Sequence, residues 1–200
     1  LDQFEVPNDL DQWTHDAAVT VPAPGGAAVI PAGASMVCND PHAPRTSNDG
    51  WEDYTARWKV VASSLLTSFG LDFRRVSSTR YLRVLFSMVT KTLALQSVDG
   101  AVTTLATSAV QPFLKPGVQD LVTVDVFTTG VGTAKARVLL DGEPVITWQD
   151  FSTNANGGPV GVSCTAGSVS LKLVEVCPWP LEVERVGPPP LAATHYAAPA

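Results

Sequence analysis

The chain predicts an all-β fold, an antiparallel β-sandwich carrying a Pro-rich C-terminal extension, and three observations point there. Short segments of alternating apolar and polar residues follow one another from Trp51 to Val176. Two Asp-Gly pairs, Asp99-Gly100 and Asp141-Gly142, separate such segments as hairpin signals. Sixteen Pro and fifteen Gly fall mainly between the alternating segments, which is how a chain of strands and loops is punctuated. An apolar fraction of 45% supports a packed core, and only two Met argue against a helical bundle. The 200 residues suit one large sandwich, expected over 13–180, with an N-terminal arm or first strand at 1–12 and a docking tail at 181–200.

Taken in order, residues 1–12 are acidic and lead into Trp13. Brief strands are expected around Val19–Val21, Ala27–Ile30 and Ser35–Cys38, followed by a polar loop from Asn39 to Gly50. Loops of that length in compact domains often carry function. The cleanest strand runs from Tyr54 to Val60, with Tyr54, Ala56, Trp58 and Val60 on one side and Thr55, Arg57 and Lys59 on the other. Ser63 to Ser68 reads as a turn, and Phe69–Val76 as a strand. Strict alternation there puts Leu71, Phe73 and Arg75 on one side, Asp72 and Arg74 on the other. Ser77-Ser78-Thr79 connects it to Arg80–Phe86, with Leu82, Val84 and Phe86 inward and Tyr81 and Arg83 outward. Thr92–Val98 and Ala101–Ala106 form a hairpin in which both Asp99 and Gly100 are expected at positive φ. Gln119–Thr128 follows, then Ala134–Leu140 and Glu143–Trp148 joined through Asp141-Gly142. Gly157–Cys164 and Ser168–Cys177 complete the set around Thr165-Ala166-Gly167. From Pro178 the chain is Pro-rich and reads as a linker or extended arm.

Thirteen basic against nineteen acidic residues give a formal charge of −6, with no basic run longer than Arg74-Arg75, so nucleic acid is not an expected partner. No stretch reaches the roughly 18 apolar residues of a spanning helix, and no membrane partner is expected. The sequence starts at Leu1, and residues 1–20 lack the basic start and apolar middle of a signal peptide. Cys38, Cys164 and Cys177 are too few for a disulfide framework. They read as three small buried hydrophobes, or as one bridge, for which Cys38 with Cys177 is the expected pair because terminal strands often pair in closed sandwiches. No Cys/His cluster suggests zinc.

The order of Gly50-Trp51-Glu52-Asp53-Tyr54-Thr55, Gly70-Leu71-Asp72-Phe73-Arg74, Arg80-Tyr81-Leu82-Arg83-Val84, Leu139 with Asp141-Gly142-Glu143-Pro144-Val145, and Gly158-Pro159-Val160-Gly161 resembles the concanavalin A-like jelly-roll group. That group includes laminin-G-like domains and carbohydrate-binding modules, and the resemblance covers roughly Trp51 to Val176. It implies two antiparallel sheets, one concave, with ligands held on the concave face or at the loop rim. Similar modules occur in secreted glycoside hydrolases, bacterial surface proteins and phage virions.

A glycosidase needs two carboxylates held on opposite sides of a bond. The nearest approach here is Glu182-Val183-Glu184, within the Pro-rich tail. His15, His42 and His195 are scattered, and no Gly-x-Ser-x-Gly elbow exists, so no enzyme is expected. Candidate ligand-binding residues are Asp72, Arg74, Tyr81 and Arg83, outward on adjacent strands, together with Trp51. An aromatic face beside charged groups suits a sugar; the same residues equally make a cross-strand salt bridge covered by Tyr81. Trp148 and Trp179 are further platforms beside loops or strand ends. No cofactor is expected, although Asp40, Asn48 and Asp49, or Asp150, Asn154 and Asn156, supply oxygen ligands of the kind calcium takes, in loops unlike an EF-hand. The expected function is a non-catalytic recognition module at a virion surface or outside the cell. It binds a glycan or polysaccharide surface, or serves as a tail or decoration component docked onto virion proteins or copies of itself. A glycoside hydrolase of the same fold is the alternative.

Overall fold

The computed structural model describes residues 13–22, 26–38, 53–109, 114–152 and 158–178. Among the described residues, thirteen strands stand in two antiparallel sheets. They are β1 (Trp13–His15), β2 (Ala28–Pro31), β3 (Ser35–Cys38), β4 (Tyr54–Ala62), β5 (Ser68–Ser77), β6 (Arg80–Ser87) and β7 (Thr92–Asp99). Then come β8 (Ala101–Ala109), β9 (Gln119–Gly130), β10 (Thr133–Leu140), β11 (Glu143–Ser152), β12 (Gly161–Ala166) and β13 (Ser168–Pro178). A seven-stranded sheet has the order β1-β3-β12-β5-β6-β7-β8, and a six-stranded sheet the order β11-β10-β9-β4-β13-β2. The fold is therefore an all-β antiparallel jelly-roll sandwich.

Period-two alternation builds the core. Along β4, Tyr54, Ala56, Trp58, Val60 and Ala62 are all fully buried, and from the other sheet Phe69, Leu71, Phe73, Leu82, Val84 and Phe86 meet them. Phe69 and Phe86 face each other in register with stacked rings, centroids 4.7 Å apart. Truncating a buried aromatic of this kind costs about 3–5 kcal/mol, so the core dominates stability.

Several expectations need correction. Trp13–His15 is itself a strand, paired with β3, whereas 1–12 lies outside the described residues, as does 181–200. Of the two Asp-Gly turns, only Asp141-Gly142 has both residues at positive φ, 51° and 87°; at the other, Gly100 alone does, at 70°. No disulfide joins Cys38 to Cys177, because β3 lies in one sheet and β13 in the other. The terminal segments do pair, but as β13 with β2 and β12 with β3.

Candidate functional site

The outer face of the seven-stranded sheet gathers Asp72, Tyr81 and Arg83, as alternation required, because Asp72 and Arg83 are direct cross-strand partners in the β5–β6 pairing. Arg74 is not among them. The pairing runs Phe73 with Leu82 and next Ser77 with Arg80, so β5 spends three residues where β6 spends one. Arg74 takes φ of 48° in this bulge and turns inward, fully buried. Its Nη2 donates to Thr128 Oγ1 at 2.7 Å and lies 3.7 Å from Asp53 Oδ1, which also accepts from the Thr128 amide at 2.6 Å. The Arg74 amide donates to the Tyr54 hydroxyl at 2.9 Å, and burial pushes that phenol up to about 12, against the opposing pull of the Arg74 charge. Arg74 is thus a lock between the sheets.

The bulge sends Arg75 outward in its place. Arg75 is held there by its amide, which donates to Pro159 O at 3.0 Å. Gly158 permits that approach: its φ is 139°, and a Cβ on it would lie 2.7 Å from Arg75 O. Asp72, itself buried, accepts from the Arg75 guanidinium on Oδ2 and from Arg83 Nε on Oδ1 at 2.7 Å. Arg83 Nη2 reaches on to Ser163 Oγ at 3.1 Å on β12. It can lie flat across β5 because residue 70 is glycine; a Cβ there would sit 2.5 Å from Arg83 Nε. The guanidinium carbons of Arg75 and Arg83 lie 4.9 and 4.8 Å from the Tyr81 ring centroid. Burial alone would lower the pKa of Arg83, but the hydrogen bond and charge of Asp72, joined by Tyr81, outweigh it and the net shift is upward.

A second cluster occupies the outer face of the six-stranded sheet. Asp125 accepts from Arg137 Nε at 2.6 Å and from Thr55 Oγ1 at 2.6 Å, both its direct cross-strand partners. The Arg137 guanidinium lies 5.0 Å from the Trp148 ring, which gives that expected platform a cation cover.

Trp51, Trp179, His42, His195, Glu182 and Glu184 lie outside the described residues, as do Asp40, Asn48, Asp49, Asn154 and Asn156. Asp150 pairs with Lys135 at 3.4 Å, and His15 is exposed with Nδ1 near Asp16 O. Sequence reading missed Arg75, Gly70 and Ser163, and also Asp120. The signal for the first was the doubled Arg74-Arg75, in which a bulge exchanges which arginine faces out. Asp120 is 2% exposed, its Oδ2 has no hydrogen-bond partner among the described residues, and burial followed by the charge of Asp141 raises its pKa to about 6. Asp141 itself accepts the Leu121 amide at 2.8 Å.

No protein-family model matches the chain, and no curated protein matches it. Solved structures do. The chain is similar to the carbohydrate-binding module CBM66 from Bacillus subtilis, at 10% identity and a TM-score of 0.64, over 84% of this chain and 96% of that one. It is also similar to a protein of unknown function with a galectin-like fold from Bacillus subtilis, at 10% identity and a TM-score of 0.59, over 87% and 92%. The xyloglucan PUL GH43B protein of Bacteroides ovatus matches at 10% identity and a TM-score of 0.59, over 89% of this chain and 39% of that one. These likenesses establish the fold.

Proposed function

We propose that this protein is a non-catalytic glycan-binding module that recognises saccharide on the outer face of the seven-stranded sheet, through Arg75 and Arg83 as Asp72 and Tyr81 hold them. The observation that carries the reading is the cluster itself. A buried carboxylate holds two guanidiniums in fixed positions on one sheet face, and each keeps hydrogen-bond donors beyond those that Asp72 and Ser163 take. Pre-ordered, charge-assisted donors are what a hydroxyl-rich ligand needs for orientation. The likeness to a carbohydrate-binding module over 96% of its length supports the same reading.

The non-catalytic part of the proposal rests on where the carboxylates are. Among the described residues, Asp72 and Asp125 are each committed to arginine, and Asp120, the carboxylate with a strongly raised pKa, is buried. A glycosidase needs two carboxyls accessible on either side of the bond. The hydrolase alternative has the GH43B likeness in its favour, and that likeness takes in only 39% of the larger chain. A virion role would depend on the arm and tail, which lie outside the described residues, and nothing in the sandwich bears on it.

The test is affinity electrophoresis against a panel of immobilised neutral and acidic polysaccharides, with Arg83→Ala beside wild type. Retardation of the wild type by at least one polysaccharide, lost in Arg83→Ala, is the expected result. A wild type that migrates freely through every gel removes the glycan reading.

A further inference from the structure

The ligand's chemistry can be read one step further, resting on the glycan reading above: we infer that the seven-stranded face is built for an acidic saccharide, one whose uronate carboxylate docks across Arg75 and Arg83. Three features lead there. Among the described residues Asp72 is the one carboxylate bonded to either guanidinium, so the cluster carries one positive charge in excess. The donors left over are Nε and Nη2 of Arg75 and Nη1 of Arg83, and each side chain is partly exposed, at 16% and 17%. Tyr81 is only 9% exposed and its ring lies against both guanidiniums, so its surface is largely occupied and C–H stacking is not the means of recognition.

A cluster that presents donors and net positive charge, with little open aromatic surface, selects an acceptor-only, negatively charged group over a neutral ring. A planar carboxylate matches the guanidinium fork in two-point fashion, and Nε with Nη2 of Arg75 is such a fork. The whole chain carries a formal charge of −6, while the described residues hold ten acidic and eleven basic groups, so the attraction is local to the cluster. The cluster is also less compensated than its counterpart on the other sheet, where Arg137 meets Asp125 one to one.

The experiment measures affinity of the full chain for polygalacturonate, dextran sulfate and a neutral galactan, by affinity electrophoresis at about 50 and 500 mM NaCl. Arg75→Gln is compared with wild type, since it leaves the Asp72–Arg83 pair in place, and thermal unfolding confirms that it folds. Polygalacturonate is expected to bind more tightly than galactan, to weaken about 10-fold or more in Arg75→Gln, and to weaken with salt. Galactan binding equal to polygalacturonate and unchanged in Arg75→Gln overturns the acidic preference while leaving glycan binding intact. Dextran sulfate binding as tightly as polygalacturonate overturns the carboxylate assignment in favour of unselective polyanion attraction. Failure of all three to bind overturns the acidic-saccharide inference; the wider panel above, where other neutral glycans are present, then decides separately whether the glycan reading falls with it.

Discussion

The two sheet faces carry the same three-part arrangement and differ in how it is balanced. On each, a buried aspartate meets an arginine directly across the strand, and the guanidinium lies against an aromatic ring: Asp72, Arg83 and Tyr81 on one, Asp125, Arg137 and Trp148 on the other. The residue on the far side of the aspartate decides the rest. For Asp125 it is Thr55, whose hydroxyl satisfies the second carboxylate oxygen and closes the cluster at zero net charge. For Asp72 it is Gly161, which has no side chain to offer, and the second oxygen takes Arg75 instead. A neutral donor makes a closed structural pair; a second cation makes a pair with surplus charge and spare donors. The comparison teaches that an ion pair on a sheet becomes a candidate site through what it leaves uncompensated.

The sharpest way to break this comparison is to remove each aspartate. Asp72→Ala leaves two partly buried guanidiniums beside each other with no anion, and a loss of roughly 3–5 kcal/mol in unfolding free energy is expected. Asp125→Ala leaves one guanidinium and a hydroxyl, and should cost roughly 1 kcal/mol less. Urea unfolding at neutral pH measures both. Equal losses would mean that Arg75 is held by its backbone and solvent rather than by Asp72. A smaller effect is expected at Gly70→Ala. Alanine in a strand is ordinarily favoured over glycine by roughly 0.5–1 kcal/mol, but here the new Cβ displaces Arg83 from Asp72 and Ser163. A net loss of about 1–2 kcal/mol, with glycan binding lost, is expected from giving up charge-assisted bonds. Retained binding in Gly70→Ala would show that Arg83 need not lie flat to act.

Much of this was legible before any coordinates. Alternation placed Tyr54, Ala56, Trp58 and Val60 inward, and it placed Asp72, Tyr81 and Arg83 together on an outer face, because a strand's side chains have only two sides to choose from. The exchange of Arg74 for Arg75 was not legible. A bulge is a tertiary decision, fixed here by Pro159 and Gly158 more than eighty residues away along the chain; its two extra residues exchange the sides of Arg74 and Arg75 and bring β5 back into phase at Ser77. Gly70 was invisible for a related reason: its importance lies in the side chain of Arg83 crossing over it, which no local pattern announces. The sheet order was equally hidden, since β12 enters between β3 and β5 and β13 between β2 and β4, contacts that join the ends of the sequence to its middle.

A third aspartate completes the series of two guanidiniums, one, and none. Asp120 sits on the inner side of β9, in register with Val60, with no cation among the described residues bonded to it and Asp141 as its charged neighbour. Its folded-state pKa of about 6 stands above the ordinary carboxylate value near 4, so the folded protein holds this proton more tightly than the unfolded chain does. Stability from this group is therefore complete below about pH 4, declines as pH rises towards 6, and is a fixed penalty above that. Water reaching the rim and the residual polarity of an amide both reduce what a substitution recovers. Asp120→Asn is accordingly expected to stabilise the protein by about 1 kcal/mol at pH 7.5 and to change little at pH 4, as measured by urea unfolding at the two values. The sign is opposite to that at Asp72 and Asp125, whose removal destabilises, because a buried carboxylate contributes only when a cation or donor shares its site. Destabilisation of Asp120→Asn at both pH values would show that Asp120 has a partner of the kind the other two possess, and the distinction between the three sites would collapse.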